Sequence, residues 1–147
     1  MEKEFKVYLG ADHAGLRLKN AIKQYLSETK INYVDFGADT LTSDDDYPDF
    51  AKKVAQTISR QPKNFGILIC GSGHGMCIAA NRFKKVRAIL GYSVSAVMVG
   101  REHNDSNVLC LAGRFLSTTQ GVHLVETFLK TDFPGEERHA RRIKKIG

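Results

Sequence analysis

Long apolar runs are missing from this chain. The most extended, "FGILIC" and "NVLCLAG", fall far short of the ~20 residues that a bilayer-spanning helix needs. The opening "MEKEFK" lacks the apolar stretch of a secretory leader, so the expectation is a cytoplasmic protein with no membrane partner. Cysteine is scarce and odd in number: of three, Cys70 and Cys110 sit inside apolar runs and Cys77 follows a glycine-rich stretch. A secreted disulfide framework does not fit that pattern, and a C-x-x-C redox pair is absent. Internal repeats, low-complexity tracts and linker-like segments are missing too. With 147 residues, a length at which a domain buries roughly 68–70% of its unfolded surface, one domain over 1–147 is expected. Aromatics are absent from the basic tail "EERHARRIKKIG", whose five Lys/Arg and two Glu supply half of the net charge of +6. Nucleic-acid footprints interleave aromatics with a broad basic stripe, so no nucleic-acid partner is expected, and a smaller anion suits the tail as well.

What is present alternates. Short runs rich in Val, Ile, Leu and Phe at 5–9, 31–36, 65–70, 86–90 and 107–112 read as buried strands. Between them Leu18, Ile22, Tyr25 and Leu26, then Phe50, Val54 and Ile58, and later Val122, Val125 and Leu129 recur at helical spacing. Alternating strand and helix predicts an α/β fold, a three-layer αβα sandwich on a five-stranded parallel sheet. The commonest order for such a sheet is 2-1-3-4-5, with ligands bound beyond the carboxyl ends of the strands where the order reverses. That sets the ends of the first and third strands side by side. A basic helix is expected at about 136–147, and the acidic loop "GADTLTSDDDYPD" reads equally as a solvated turn or part of a site.

Several motifs carry chemistry. "GADHAG" has the glycine spacing of a phosphate loop, but Leu16 and Arg17 stand where Lys-Ser/Thr would be required. Asp12 and His13 offer an acceptor and a switchable donor at a strand end; a plain helix cap at Asp12 is the alternative. "CGSGHGM" at 70–76 is G-x-G-x-G, not the dinucleotide fingerprint, and no acidic residue follows about 20 positions on. Its glycines can turn N–H groups inward to hold a phosphate or a developing oxyanion. Cys70 at its lip is partly activated by the helix dipole, which alone gives ~0.3–1 kcal/mol, so a donor from Ser72 or a nearby N–H must add to it. A buried strand cysteine is the competing reading. Cys70, His74 and Cys77 lack zinc-ligand spacing, so no metal is expected. Arg101, His103 and Asn104 precede the last strand, Arg114 follows it, and Arg138, Arg141, Arg142 and Lys145 share one face of the tail with His139 alongside.

Together, "GADHAG", "DYPDFA", "CGSGHGMCIAANRF", "REHNDSNVL", "AGR" and "RHARR" resemble, in order and spacing, the ribose-5-phosphate isomerase B family, which also includes galactose-6-phosphate isomerase subunits. The resemblance covers nearly the whole chain. It implies interconversion of D-ribose 5-phosphate and D-ribulose 5-phosphate through a cis-enediolate, without metal or organic cofactor. Cys70 would be the base, with Ser72 beside it and the N–H groups of Gly71, Ser72, Gly73, His74 and Gly75 around the enediolate oxygen. No role for the His74 side chain is implied. His103, from a second subunit, would assist ring opening with Asp12. His13, Arg114, Arg138 and Arg142 match positions around phosphate, and Asp46, Tyr47 and Asn104 match positions near sugar hydroxyls. A family subgroup lacks the cysteine and uses a glutamate six residues on; here that position is Met76, so the thiol version is implied. The expected partners are a small phosphorylated sugar and further copies of the chain, as a dimer or tetramer with shared sites. A hexose 6-phosphate substrate and a non-catalytic phosphosugar-binding module are the alternatives.

Overall fold

The computed structural model describes residues 4–147. The strands are β1 (Val7–Ala11), β2 (Tyr33–Asp35), β3 (Phe65–Cys70), β4 (Ala88–Leu90) and β5 (Val108–Ala112). The helices are α1 (Leu16–Glu28), α2 (Tyr47–Arg60), α3 (His74–Ala80), α4 (Val94–Asn104), α5 (Thr118–Lys130) and α6 (Glu137–Ile146). All strand pairs are parallel. Successive side chains of a strand point to opposite faces, and the burial follows: Val7, Leu9, Ile67, Ile69, Leu109 and Leu111 pack with Ile22 of α1 and Phe128 of α5. Tyr8, Leu68, Cys70, Val108 and Cys110 pack on the other face against Val54 and Ile58 of α2 and Met76 of α3. The α/β three-layer expectation holds.

Its strand order needs one correction. The sheet runs β2-β1-β3-β5-β4, not 2-1-3-4-5, so the last two strands exchange places. The reason lies in their composition. "VLCLA" is apolar on both faces and buried along four of its five residues, which suits an interior position in a parallel sheet. β4 has three residues, two of them only partly buried, and takes the edge. β1 also begins and ends two residues later than its apolar run suggests, because Gly10 and Ala11 still pair with Leu68 and Ile69.

A buried ion pair fixes the outer part of this frame. Lys19 of α1 is fully buried, with Nζ 2.8 Å from Oδ1 of Asp35 at the end of β2 and donating also to the carbonyl of Ala38. Lys23 reaches Oδ2 of Asp35 at 2.9 Å, and the Gly37 N–H donates to Oδ1 at 2.8 Å. Burial pushes this carboxyl up, but Lys19, the Gly37 N–H and Lys23 outweigh it and hold it below the usual range. A carboxyl so held stabilises the fold above its unfolded value, near 4. That contribution is lost as pH falls through the lower folded value. Asp35→Ala strands a buried ammonium and is expected to cost about 3–5 kcal/mol at pH 7. Denaturant titrations should show the gap to the wild type narrowing below about pH 4; a constant gap down to acid unfolding would refute the assignment.

Candidate active site

The order reverses between β1 and β3, whose ends lie side by side: the Asp12 N–H donates to the carbonyl of Ile69 at 3.2 Å. A cleft of about 870 Å³ opens there. Its wall takes Asp12 and His13 from the turn after β1, Cys70 from the end of β3, Gly71 and Ser72 from the loop that follows, Gly75 from α3, and Arg114 from the turn after β5. Asp45, Asp46 and Tyr47, from the loop entering α2, close the remaining side. The acidic loop is therefore part of the cleft.

Cys70 ends β3 and is 4% exposed. The chain then turns through Gly73, at φ +79°, a left-handed conformation that favours glycine, and this turn aims the Gly73 N–H at Sγ of Cys70, 3.2 Å away. A donor on sulfur stabilises charge there. It comes from Gly73, not from Ser72, whose Oγ accepts from the His74 N–H at 3.3 Å. Gly73 itself is buried and His74 exposed, and neither lines the cleft. Cys77 and Cys110 are set back from it: Cys77 Sγ donates to the Ala88 carbonyl at 3.4 Å, and Cys110 is fully buried.

Asp12 both caps a helix and lines the cleft. Its Oδ1 accepts from the Ala14 N–H at 3.0 Å, capping the short 3₁₀ turn before α1, and it lines the cleft at 6% exposure. Burial pushes its carboxyl above the usual range, with His13 and the Ala14 N–H pulling the other way. His13 is half-buried, and its Nδ1 is 2.6 Å from Oδ1 of Asp45. Asp12, His13 and Asp45 bring ligand-type atoms within 4.8 Å of one another; a cation there would have to displace the proton shared by His13 and Asp45.

The remaining expected residues lie elsewhere. α4 starts near the carboxyl ends of the strands and runs back, so His103 and Asn104, at its far end, precede the first residue of β5. A helix of this length spans about 16 Å. α6 packs beside that end: the His103 and His139 rings stack at 4.1 Å, and Arg138 and Arg142 are exposed on the same helix. Arg101 pins the corner, buried at 5% exposure, donating to the carbonyls of Ser106 (2.6 Å) and Thr131 (3.0 Å) and lying over the Phe65 ring. Burial, His103 and Arg138 hold the His139 imidazole below the ordinary histidine range, and its Nε2 is buried without a partner. Within one chain the candidate residues thus form two groups at opposite edges of the sheet. Sequence reasoning passed over Asp45 and set His139 only beside the basic cluster; the signal was present for Asp45 in the "DDD" run, but not which of the three aspartates points inward.

Fold and cleft define a parallel α/β protein with a thiol and a carboxyl at its topological switch point. Residues 7–146 match the Ribose/Galactose Isomerase family, and the chain belongs to it. It is 43% identical, over 97% of its length and 93% of the relative's, to a probable ribose-5-phosphate isomerase B of Mycoplasma genitalium. To the ribose-5-phosphate isomerase B of Mycobacterium tuberculosis it is 38% identical, over 94% of this chain and 85% of that one. The crystal structure of the Mycoplasma genitalium enzyme with bound ribulose-5-phosphate superposes with a TM-score of 0.95 at 42% identity, covering 99% of this chain and 95% of the other. The Thermotoga maritima ribose 5-phosphate isomerase gives 0.92 at 43% identity, with 98% of each chain covered.

The cleft geometry is open to a direct check. Gly75 lies against the Tyr47 ring, which an added Cβ would overlap. Glycine to alanine in a helix normally stabilises by about 1 kcal/mol, whereas overpacking costs about 1–3 kcal/mol. Gly75→Ala is therefore expected to destabilise the wild type and to stabilise a Tyr47→Ala background, read by denaturant unfolding. The same sign in both backgrounds would show that Tyr47 does not pack on Gly75.

Proposed function

We propose that this chain interconverts D-ribose 5-phosphate and D-ribulose 5-phosphate in the cytoplasm, with Cys70 as the base. The observation that carries the reading is the Cys70 thiol in the cleft with the Gly73 N–H on its sulfur, in a chain of the isomerase family. Once the ring is open, the Cys70 sulfur takes the proton from C2 of the aldose. The electron pair moves into a C1–C2 double bond and the former carbonyl oxygen becomes the enediolate oxygen. N–H groups of Gly71, Ser72 and Gly75 surround that charge; a preorganised donor of this kind is typically worth about 2.7–4 kcal/mol. A proton passes from O2 to O1, and the thiol returns its proton to C1, which leaves the ketose. Asp12, its carboxyl raised by burial, is the proton-exchanging partner in ring opening. Tyr47 and Asp46 face the sugar hydroxyls.

The phosphate is the larger demand. Four aspartates line the cleft, at 12, 45, 46 and 49, against the single guanidinium of Arg114 and the ring of His13. A phosphate dianion is poorly matched to that set alone. The exposed Arg138 and Arg142, with His103 and Asn104, lie at the other edge of the same chain. A complete site then combines the cleft of one copy with the basic edge of another, at least a homodimer.

Purified protein is expected to convert ribose 5-phosphate to ribulose 5-phosphate in EDTA, and Cys70→Ala to lose about 10³-fold or more in kcat, the range of a general base. Unimpaired turnover in that variant would remove Cys70 from its role, and turnover only of hexose 6-phosphates would move the substrate to the longer sugar.

A shared site predicts complementation. Cys70→Ala and His103→Ala homomers should each be impaired, and mixing them should recover activity, because one hybrid site is intact. No recovery after subunit exchange has been verified by mass spectrometry would place both residues in one chain's site.

A further inference from the structure

We propose that Asp45 is a positioning residue of this site, holding the His13 ring so that Nε2 is the nitrogen presented to the phosphosugar; this rests on the isomerase reading above. Oδ1 of Asp45 lies 2.6 Å from Nδ1 of His13 and also accepts from the His13 backbone N–H at 3.2 Å. An ionised carboxylate can only accept. Nδ1 therefore carries the proton in this contact, and Nε2 alone is left to meet a ligand.

The two residues are 32 positions apart, one in the turn after β1 and the other in the loop entering α2, and both line the cleft. Their side chains are 23% and 12% exposed, so water competes less for this contact than for a surface ion pair. The other carboxylate oxygen, Oδ2, is buried without a hydrogen-bond partner. Among the described residues, the side-chain hydrogen bonds of Asp45 thus run only to His13, by ring and by backbone, while its own N–H donates to the carbonyl of Thr42. An orphaned buried oxygen costs stability, and the contact that this carboxylate does make is to a residue of the cleft wall. His13 without this contact would be free to turn about its side-chain torsions, and part of the substrate's binding energy would go into ordering it.

Ring and backbone effects can be separated. Asp45→Ala is expected to raise KM for ribose 5-phosphate about tenfold with kcat within about twofold, the pattern of lost uniform binding. Asp45→Asn, whose amide oxygen still accepts from both N–H groups, should restore most of that affinity. In a His13→Ala background the backbone contact survives but the ring is gone, so Asp45→Ala should then change KM by less than about twofold. An equal effect in both backgrounds, or no effect in the wild type, overturns the proposal.

A readout independent of turnover is the ¹⁵N–¹H spectrum of the imidazoles at a pH where His13 is neutral, with His13 assigned by comparison with His13→Ala. The wild type should show His13 protonated at Nδ1, and Asp45→Ala should shift the ring toward Nε2–H. A wild-type ring already protonated at Nε2 overturns the assignment even if Asp45→Ala proves unstable. A wild type that isomerises no phosphosugar would instead reject the reading on which the proposal stands, so the two failures are distinguishable.

Discussion

Every strand of the sheet runs the same way, and that single direction gathers the chemistry. Parallel strands deliver their carboxyl ends to one edge, so Asp12, Cys70 and the turn carrying Arg114 meet although the sequence spreads them from position 12 to 114. The loop into α2 is the one wall not supplied by a strand end, and its start is tied down by Lys19 and Asp35. That pair is worth more as a constraint on the loop than as a source of stability, since a buried ion pair repays little of its desolvation.

The same direction sends the carboxyl ends of α4 and α5 to the opposite edge, where Arg101 clamps them and α6 packs. Acidic groups therefore accumulate at one edge and His103, Arg138 and Arg142 at the other. One chain therefore keeps its acidic cleft and these basic residues apart. Pairing two copies head to edge would answer the charge mismatch of each cleft, which supports the shared-site reading without any further contact being invoked.

Much of the arrangement was readable from residues. The alternation of strand and helix, the position of "CGSGHGM" at the end of β3 and the basic helix from Glu137 follow from periodicity and glycine placement. The exchange of β4 and β5 was legible only in retrospect: Arg87 in "VRAIL" and the unbroken "VLCLA" distinguish edge from interior, but a preference for the commonest order overrode that difference. Asp45 was hidden for another reason. Three consecutive aspartates look alike in sequence, and which one turns toward His13 is decided by the path of the loop between β2 and α2. His139 needed the crossing of α6 over α4 to find its stacking partner.

Three thiols share one face of the sheet, and their surroundings separate them. Burial and the Cys77 thiol push Cys110 well above the usual range, so it stays protonated in the core. Cys77 is lowered by the hydrogen bond from Cys110, against burial, but its sulfur is engaged with the Ala88 carbonyl and Asn81 instead of the cleft. Cys70 combines access to the cleft with a backbone donor on sulfur, and that donor exists because Gly73 adopts a left-handed turn. One glycine thus aims its own N–H at the cleft thiol. In the proposed reaction the N–H groups of Gly71, Ser72 and Gly75 would serve the enediolate charge, so proton removal and oxyanion stabilisation would draw on different parts of the same loop and not compete.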